Sequence, residues 1–247
     1  GIPQFDVTPD RSKRILSVDV FYTQHGKPNE GRADIFSAKT RFWHHALATE
    51  NNGTWTAQLP LENTEKPLWV YANVVYPLDK PVTGAGYYYG IYTAKSFNLS
   101  SVLTTASADT LRAAKLAPAL KPSTLIEDFE SDWEKEWFTY RPGEWGRSTH
   151  KLRANVWKAA DEARLAIDVR SAEPNVLVVL LDDSAAEVKL TGGKQWQHVT
   201  LKPSDFHDVS GDALTDWTGV EHLKLTAAER LRPKRGSTDP AKIVGKV

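Results

Sequence analysis

The chain contains neither cysteine nor methionine. The absence of cysteine excludes disulfide bonds, thiolate nucleophiles and zinc sites that use sulfur ligands. The absence of methionine means that Gly1 does not follow the chain's own initiator, so we expect a processed or excised piece of a larger parent.

Long apolar runs and an excess of one charge are also missing. No run reaches the roughly 18 residues that a membrane span needs, and the N-terminus lacks the basic and apolar regions of a signal peptide. Lysine plus arginine and aspartate plus glutamate both number 31, so no overall field recruits a polyanion. We therefore expect a soluble protein with neither a membrane nor a nucleic acid as partner.

Aromatic residues are abundant instead: the 247 residues include nine tryptophans and eight tyrosines. Such side chains fill the cores of β-sheet proteins or offer flat faces to a ligand. A chain of this length accommodates two domains of ordinary size, which is the organisation we predict.

The first part of the chain, residues 1–116, predicts one β-sandwich domain. After an irregular lead-in, residues 15–24 alternate as a half-buried strand does, and Asn52-Gly53 predicts a hairpin turn. A dense apolar run, Leu68–Tyr76, predicts a central strand that Pro77 ends. With a closing strand near residues 97–102, this spacing favours an immunoglobulin-like sandwich over about residues 12–104.

A connecting segment follows this domain. Residues 106–117 predict a short helix with Asp109 as its cap, and residues 117–123 predict a proline-punctuated linker. The second domain, residues 124–247, opens at Leu125–Trp133, which we expect to be its first strand. Further strands are predicted at residues 165–169, 176–181, 187–190, 196–201 and 220–225. The pattern favours an all-β chain that ends in an antiparallel jelly roll at about residues 124–230 and a loop-like tail.

The second domain resembles the galactose-binding-like jelly rolls of carbohydrate-binding modules, in particular the family 11 and CIA30-type domains. The resemblance rests on the opening Asp128-Phe129-Glu130, the LAIDV and NVLVVLL strands, Gly193–Leu201, Pro203–Phe206 and Asp216–Leu223. It implies a non-catalytic carbohydrate-binding module, with a polysaccharide or oligosaccharide as partner.

The first domain is loosely similar to the β-sandwich that follows the catalytic domain in secreted bacterial α/β hydrolases of the PhoPQ-activated or dienelactone-hydrolase-like kind. The residues that carry this similarity are Val20–Tyr22, Arg41–His44, Trp55–Pro60 and Tyr71–Tyr76. It implies an upstream catalytic domain as partner and a secreted or periplasmic bacterial location. No G-x-S-x-G nucleophile elbow occurs in the chain itself.

The candidate ligand-binding residues lie in the densest aromatic and polar stretch. Sugar rings place their C–H faces on aromatic rings while polar neighbours bind the hydroxyl groups. The predicted set is Trp133, Trp137, Tyr140, Arg141, Trp145, Arg147, His150 and Trp157. The competing interpretation is that the tryptophans pack in the sandwich edge, as large aromatic residues usually do.

Other aromatic residues receive structural interpretations. Trp196 and Trp217 lie in motifs that recur in such domains, so we expect both in the core. Tyr87, Tyr88 and Tyr89 would alternate between the two faces of a strand, so only one set of them can be buried. The exposed set would form a second binding patch or, as we favour, the contact with a neighbouring domain.

Asp128 and Glu130 are the candidate metal ligands. The similar jelly rolls often hold a structural Ca²⁺ near the first strand, and carboxylate oxygens suit that ion. A pair of solvated carboxylates is the open alternative. His44 and His45 are adjacent on a strand and point to opposite faces, so we do not expect them to share a metal.

Catalysis within the chain is a third hypothesis. Glu130, Glu134, Glu136 and Glu144 could supply a glycosidase pair, and the candidate tyrosine, arginines and histidine could serve a lyase. The favoured function is nevertheless glycan binding as the ancillary part of a larger secreted carbohydrate-active hydrolase. The alternatives are structural modules that pack on a catalytic domain, or an independent glycoside hydrolase or lyase.

Overall fold

The computed structural model describes residues 1–25, 41–85, 92–139, 145–233 and 240–245. Antiparallel strands are the predominant secondary structure of these residues, which confirms the prediction of an all-β chain. The chain divides into two compact units, of which unit 1 comprises Gly1–Ser123 and unit 2 starts at Thr124. No helix in the described ranges is long and apolar enough to cross a membrane.

Unit 1 is built on one curled sheet, in which the strand order is β1-β4-β3-β2-β5-β6 and β7 pairs with β5. All pairings are antiparallel. The strands are β1 (Gln4–Val7), β2 (Ser17–Thr23), β3 (His44–Asn51), β4 (Thr54–Gln58), β5 (Leu68–Ala85), β6 (Tyr92–Ser100) and β7 (Thr104–Ala106).

The core of unit 1 lies on one face of this sheet. Val18, Val20 and Tyr22 of β2 are buried beside Val70 and Ala72 of β5, whereas the alternate residues of β5 are only partly buried. Period-two burial of this kind follows from the pleat, which turns successive side chains to opposite faces.

The predicted hairpin is present between β3 and β4. Asn52 and Gly53 both have positive φ, 49° and 89°, as a two-residue turn with the twist of the flanking strands requires. Glu50 reinforces this turn, because its Oε1 accepts the backbone N–H of Gly53 at 2.6 Å.

Two predictions for unit 1 are wrong. The lead-in contains β1, which pairs with β4 in the register Gln4 to Gln58. Pro77 does not end the central strand, since β5 continues to Ala85. The register between β5 and β6 shifts after Pro77, and an irregularity in the ladder accommodates a residue that cannot donate.

The predicted connecting helix is α1 (Ala108–Ala113), but its cap is Ser107 rather than Asp109. The Ser107 hydroxyl accepts the backbone N–H of Thr110 at 3.2 Å. In the linker that follows, the N–H groups of Ala119 and Leu120 both donate to the carbonyl oxygen of Leu61, which holds the linker on unit 1.

Unit 2 contains a four-stranded sheet of order β11-β10-β13-β8, a β9–β12 pair and a β14–β15 pair. The strands are β8 (Arg147–Thr149), β9 (Leu165–Val169), β10 (Asn175–Leu181), β11 (Ser184–Leu190), β12 (Gln197–Leu201), β13 (Leu223–Thr226), β14 (Ala228–Leu231) and β15 (Lys242–Gly245). The five strands predicted between residues 165 and 225 are therefore all present.

The main core of unit 2 lies between the four-stranded sheet and the β9–β12 pair. Leu177, Val179 and Leu181 of β10 are buried there, and Ile167 and Val199 pack against them from the β9–β12 pair. The other face of β10 is also buried, because its alternate residues join a second apolar cluster. A continuously apolar strand is the sequence pattern of such two-sided burial.

The segment Leu125–Trp133 is not a strand, contrary to prediction. Phe129 and Asp132 have positive φ, 57° and 62°, so the backbone there cannot follow a regular ladder. A single 3₁₀ turn, Trp133–Lys135, follows.

The tail was predicted to be loop-like, yet it contributes β14 and β15, which pair with each other. Leu231 and Val244 of these strands are buried against Val178, Leu180 and Ala185. The C-terminal pair is therefore what covers the second face of β10.

Candidate functional site

The predicted cluster of tryptophans does not form one exposed surface. Trp137 is only 4% exposed and lies in the core, and Trp133 packs against that core in edge contact with Trp137. The indole N–H of Trp157 donates to the carbonyl oxygen of Leu125 at 2.9 Å. Trp145 alone among the four is largely exposed, at 62%.

The predicted polar partners are also dispersed. The Arg147 guanidinium donates to the carbonyl oxygens of Trp145 and Gly146. His150 is in ring contact with Phe138 and with His222, at 5.3 and 5.1 Å between centroids. The remaining candidates Tyr140, Arg141 and Glu144, and Tyr87–Tyr89 of unit 1, lie outside the described residues.

The structure instead places a buried charge cluster in this region, formed by Glu127, Glu136 and Lys151. The Lys151 ammonium lies 2.8 Å from a carboxylate oxygen of each glutamate and donates to the Ile126 carbonyl oxygen at 3.0 Å. The Trp137 indole N–H also donates to Glu127, at 2.9 Å. This cluster holds the irregular opening segment of unit 2 against its core.

The predicted calcium ligands, Asp128 and Glu130, are both exposed. The Asp128 carboxylate accepts the backbone N–H of Glu130 at 3.0 Å, as in an Asx turn. Within the described residues no group of three or more metal-ligating side chains comes together. Calcium binding here stays a prediction, which a comparison with and without calcium tests.

A second titratable cluster lies where β10, β8 and β13 meet. Burial raises the pKa of Asp182, although that carboxylate accepts the backbone N–H of Glu221. Burial lowers the pKa of His222 to about 4, and the charges of Lys224 and Arg153 act in the same direction. His222 is therefore neutral near pH 7.

The exposed side chains that do come together lie on the outer face of the β9–β12 pair, which we call the tryptophan–arginine face. Asp168 pairs with His198 and Ala166 with Thr200 in the antiparallel register. All four residues are exposed, whereas their neighbours in sequence turn toward the core. Arg170 and Trp196 follow the last register pair of this ladder, Val169 with Gln197, and we include them in the face.

Trp196 is the dominant feature of this face and corrects the prediction that it lies in the core. It is 64% exposed, and the Arg170 guanidinium carbon lies 5.1 Å from its ring centroid. A guanidinium above an indole is a favourable cation–π contact. The contact orients the ring, and most of the side chain remains exposed.

Polar groups stand beside the indole. The His198 Nδ1 atom and an Asp168 carboxylate oxygen are 2.8 Å apart, and both side chains are largely exposed. An imidazole and a carboxylate that hold each other in place offer both a donor and an acceptor to hydroxyl groups. The face can therefore stack against a flat apolar surface and hydrogen-bond at its edge.

The sequence does contain the signal for this face. In residues 196–201, Trp196 shares its parity with His198 and Thr200, while Val199 and Leu201 occupy the other. Side chains of one parity share a face of a strand, so strict alternation places Trp196 with the polar residues. The prediction that Trp196 is buried rested instead on the resemblance of residues 193–201 to a motif of galactose-binding-like domains.

No protein-family model matches the chain, and comparisons with curated proteins and with solved structures also found no match.

Proposed function

We propose that this chain is a non-catalytic carbohydrate-binding region, the ancillary part of a larger secreted carbohydrate-active hydrolase. In this proposal unit 1 is an immunoglobulin-like sandwich and unit 2 is a galactose-binding-like jelly roll that binds the glycan. The tryptophan–arginine face replaces the tryptophan cluster of residues 133–157 as the principal binding surface, and Trp145 provides a second exposed indole.

The observation that carries the proposal is the exposed, oriented indole of Trp196. Large exposed aromatic side chains are unfavourable in water, and when polar groups surround them they mark sites of recognition. A pyranose ring has the matching properties, because its C–H groups form an apolar face and its hydroxyl groups project at the rim. Asp168 and His198, which are hydrogen-bonded to each other, are the polar groups that would bind such hydroxyl groups in this proposal.

Affinity electrophoresis against soluble plant and algal polysaccharides tests this function. We expect one polysaccharide to retard the chain, and we expect Trp196→Ala to weaken retention about tenfold or more, since loss of a stacking contact removes on the order of 1–3 kcal/mol. Runs with calcium and with chelator show whether Asp128 and Glu130 hold an ion that retention needs.

Matched variants show which surface of unit 2 binds the polysaccharide. Ile243→Ala removes another exposed large apolar side chain of unit 2, on β15, and should leave retention unchanged. If Trp145→Ala abolishes retention and Trp196→Ala does not, the binding surface is the one around Trp145. Uniform mobility with every polysaccharide would contradict the proposed function.

A second candidate function is docking to an upstream catalytic domain through unit 1. It is favoured by three exposed aliphatic side chains at the edge formed by β6 and the start of β7, namely Leu99, Val102 and Leu103. In the product of the complete reading frame, Val102→Asp would then lower the melting temperature of the catalytic domain, whereas Ile243→Asp would not. A reading frame without such a domain would exclude this candidate.

A further inference from the structure

Unit 1 carries a groove with a volume of about 560 Å³, within the usual range for small-molecule sites. It lies where β3 changes partner, from β2 at Leu47 to β4 at Ala48. Its lining includes Gln4, His45, Leu47, Thr49, Thr56 and Gln58.

Several polar side chains of this groove make no hydrogen bond within the described part of the chain. Gln4 of β1 and Gln58 of β4 are register partners, so their side chains leave the same face of the sheet at neighbouring positions. Neither amide, nor the Thr49 hydroxyl, is hydrogen-bonded within the described part of the chain. Exposed Leu47 adds an apolar surface beside them. The groove thus presents amide donors and acceptors next to an aliphatic contact.

The lining contains no carboxylate, ammonium or guanidinium group among the described residues. Two carboxylates contact side chains of this lining: the Thr56 hydroxyl donates to Asp6 at 2.6 Å, and the His45 Nε2 atom lies 3.4 Å from an Asp19 carboxylate oxygen. Negative charge behind the lining disfavours an anionic ligand.

The main chain beneath the groove is paired in the β1–β4 and β3–β4 ladders, and β1 is the edge strand of the sheet. An extended peptide is usually held by main-chain hydrogen bonds at such an edge, so hexaglycine is included in the test below. The side chains that face the groove itself are amides and hydroxyl groups, which suit a ligand rich in hydroxyl groups.

We propose that this groove is a second ligand site, specific for uncharged oligosaccharides. Gln4 and Gln58 would bind hydroxyl groups, and Leu47 would contact the C–H face of a sugar ring. The proposal rests on residues of unit 1 alone, so it stands or falls separately from the tryptophan–arginine face of unit 2.

The test is a nuclear magnetic resonance titration of the full chain carrying Trp196→Ala and Trp145→Ala, which removes the two exposed indoles of unit 2. The probes are cellohexaose, maltohexaose, mannohexaose and xylohexaose, with hexagalacturonate and hexaglycine for comparison. We expect the side-chain amide resonances of Gln4 and Gln58 to shift with at least one neutral oligosaccharide and with neither comparison compound.

Variants test whether oligosaccharide binding depends on the side chains of the groove. Gln4→Ala with Gln58→Ala should weaken the binding about tenfold or more, because two hydrogen bonds are lost. Thr49→Arg, which fills the groove without deleting an amide, should also weaken it. Asn98→Ala, at the opposite edge of the sheet on β6, is the matched control and should have no effect.

Three results would overturn the proposal: no shift at Gln4 and Gln58 with any neutral oligosaccharide at millimolar concentration, equal shifts with hexagalacturonate, or binding that both groove variants leave intact. None of them bears on polysaccharide retention through Trp196, which is measured in the chain with its native indoles.

Discussion

The two units differ in where their buried ionisable groups lie. Unit 1 has one continuous ladder of seven described strands over an apolar core, and its buried Asp19 and His44 lie on strands of that ladder. Unit 2 has three smaller sheets, and its buried Lys151 pairs with Glu127 of a segment that is outside the strands. Regular hydrogen bonding orders unit 1, whereas specific charge contacts order part of unit 2.

The reason lies in the opening segment of unit 2. Because Leu125–Trp133 does not join a sheet, its backbone receives little support from a ladder. Lys151 compensates by donating to the Ile126 carbonyl and to two carboxylates. A buried ion pair adds little net stability compared with an apolar replacement, but the loss of one partner leaves an unpaired charge at high cost. Unit 2 should therefore be the more sensitive of the two to single charge changes and to acid.

The largest expected effect is that of Lys151→Met. It leaves the Glu127 and Glu136 carboxylates without their cation, and we expect it to destabilise unit 2 by about 3–5 kcal/mol. Urea unfolding followed by hydrogen exchange of individual peptides measures each unit separately.

Lys189→Met is the control for this change, since Lys189 is exposed on β11. It should alter stability by no more than about 0.5 kcal/mol. If Lys151→Met destabilises both units equally, or destabilises neither of them, unit 2 is not the more sensitive unit to a single charge change.

A smaller effect is expected on the stability of unit 2 as the pH falls. The pKa of His222 in the folded chain is about 4, below the ordinary value of 6.5, so the unfolded state takes up a proton first as the pH falls. Stability of unit 2 should therefore decrease between pH 6.5 and pH 4 and then level off, by at most about 3 kcal/mol.

His222→Gln should remove this part of the pH dependence. The comparison is made against that variant because Asp182, whose pKa is raised, acts in the opposite sense: its folded form takes up a proton first. Lys224, Arg153, Glu229 and His150 surround the imidazole and remain in both proteins. Parallel stability profiles from pH 7 to pH 4 would show that His222 is not responsible.

The smallest expected effect is that of Trp196→Ala on stability. Since the indole is exposed and its main described contact is Arg170, the substitution should cost less than about 1 kcal/mol. Phe206→Ala, at a fully buried position of the same unit, should cost about 3–5 kcal/mol. If the two variants lose equal stability, measured by urea unfolding, Trp196 packs in the core after all.

Local patterns were sufficient for the regular elements. Alternation located β2 and the five strands between residues 165 and 225, and Asn52-Gly53 located the β3–β4 turn, since each signal depends on neighbours in sequence. The same rules missed β1 and β15. Both are short, and they become strands by pairing with β4 and β14, respectively. They also ended β5 too early, because the sequence does not reveal that the ladder shifts around Pro77.

The candidate sites show the same limit. Composition indicated that aromatic side chains either fill the cores or face a ligand, but not which of them do so: Trp145 and Trp196 are exposed, although Trp196 was expected in the core. It could not indicate that Trp137 would be buried with its N–H on Glu127, since that partner comes from a segment predicted to be a strand. The amides of Gln4 and Gln58 carried no signal, because an isolated glutamine has no distinctive spacing.

The sequence by itself determined the class of this protein, all-β, and most of its strands, because hydrophobic alternation and turn residues act over a few neighbouring positions. Only the tertiary structure decided which aromatic and polar side chains share a surface. That depends on strand pairing, which brings Trp196 to Arg170 and Gln4 to Gln58 from distant positions. It also depends on burial, which removed Trp137 from the protein surface and placed Lys151 between two carboxylates.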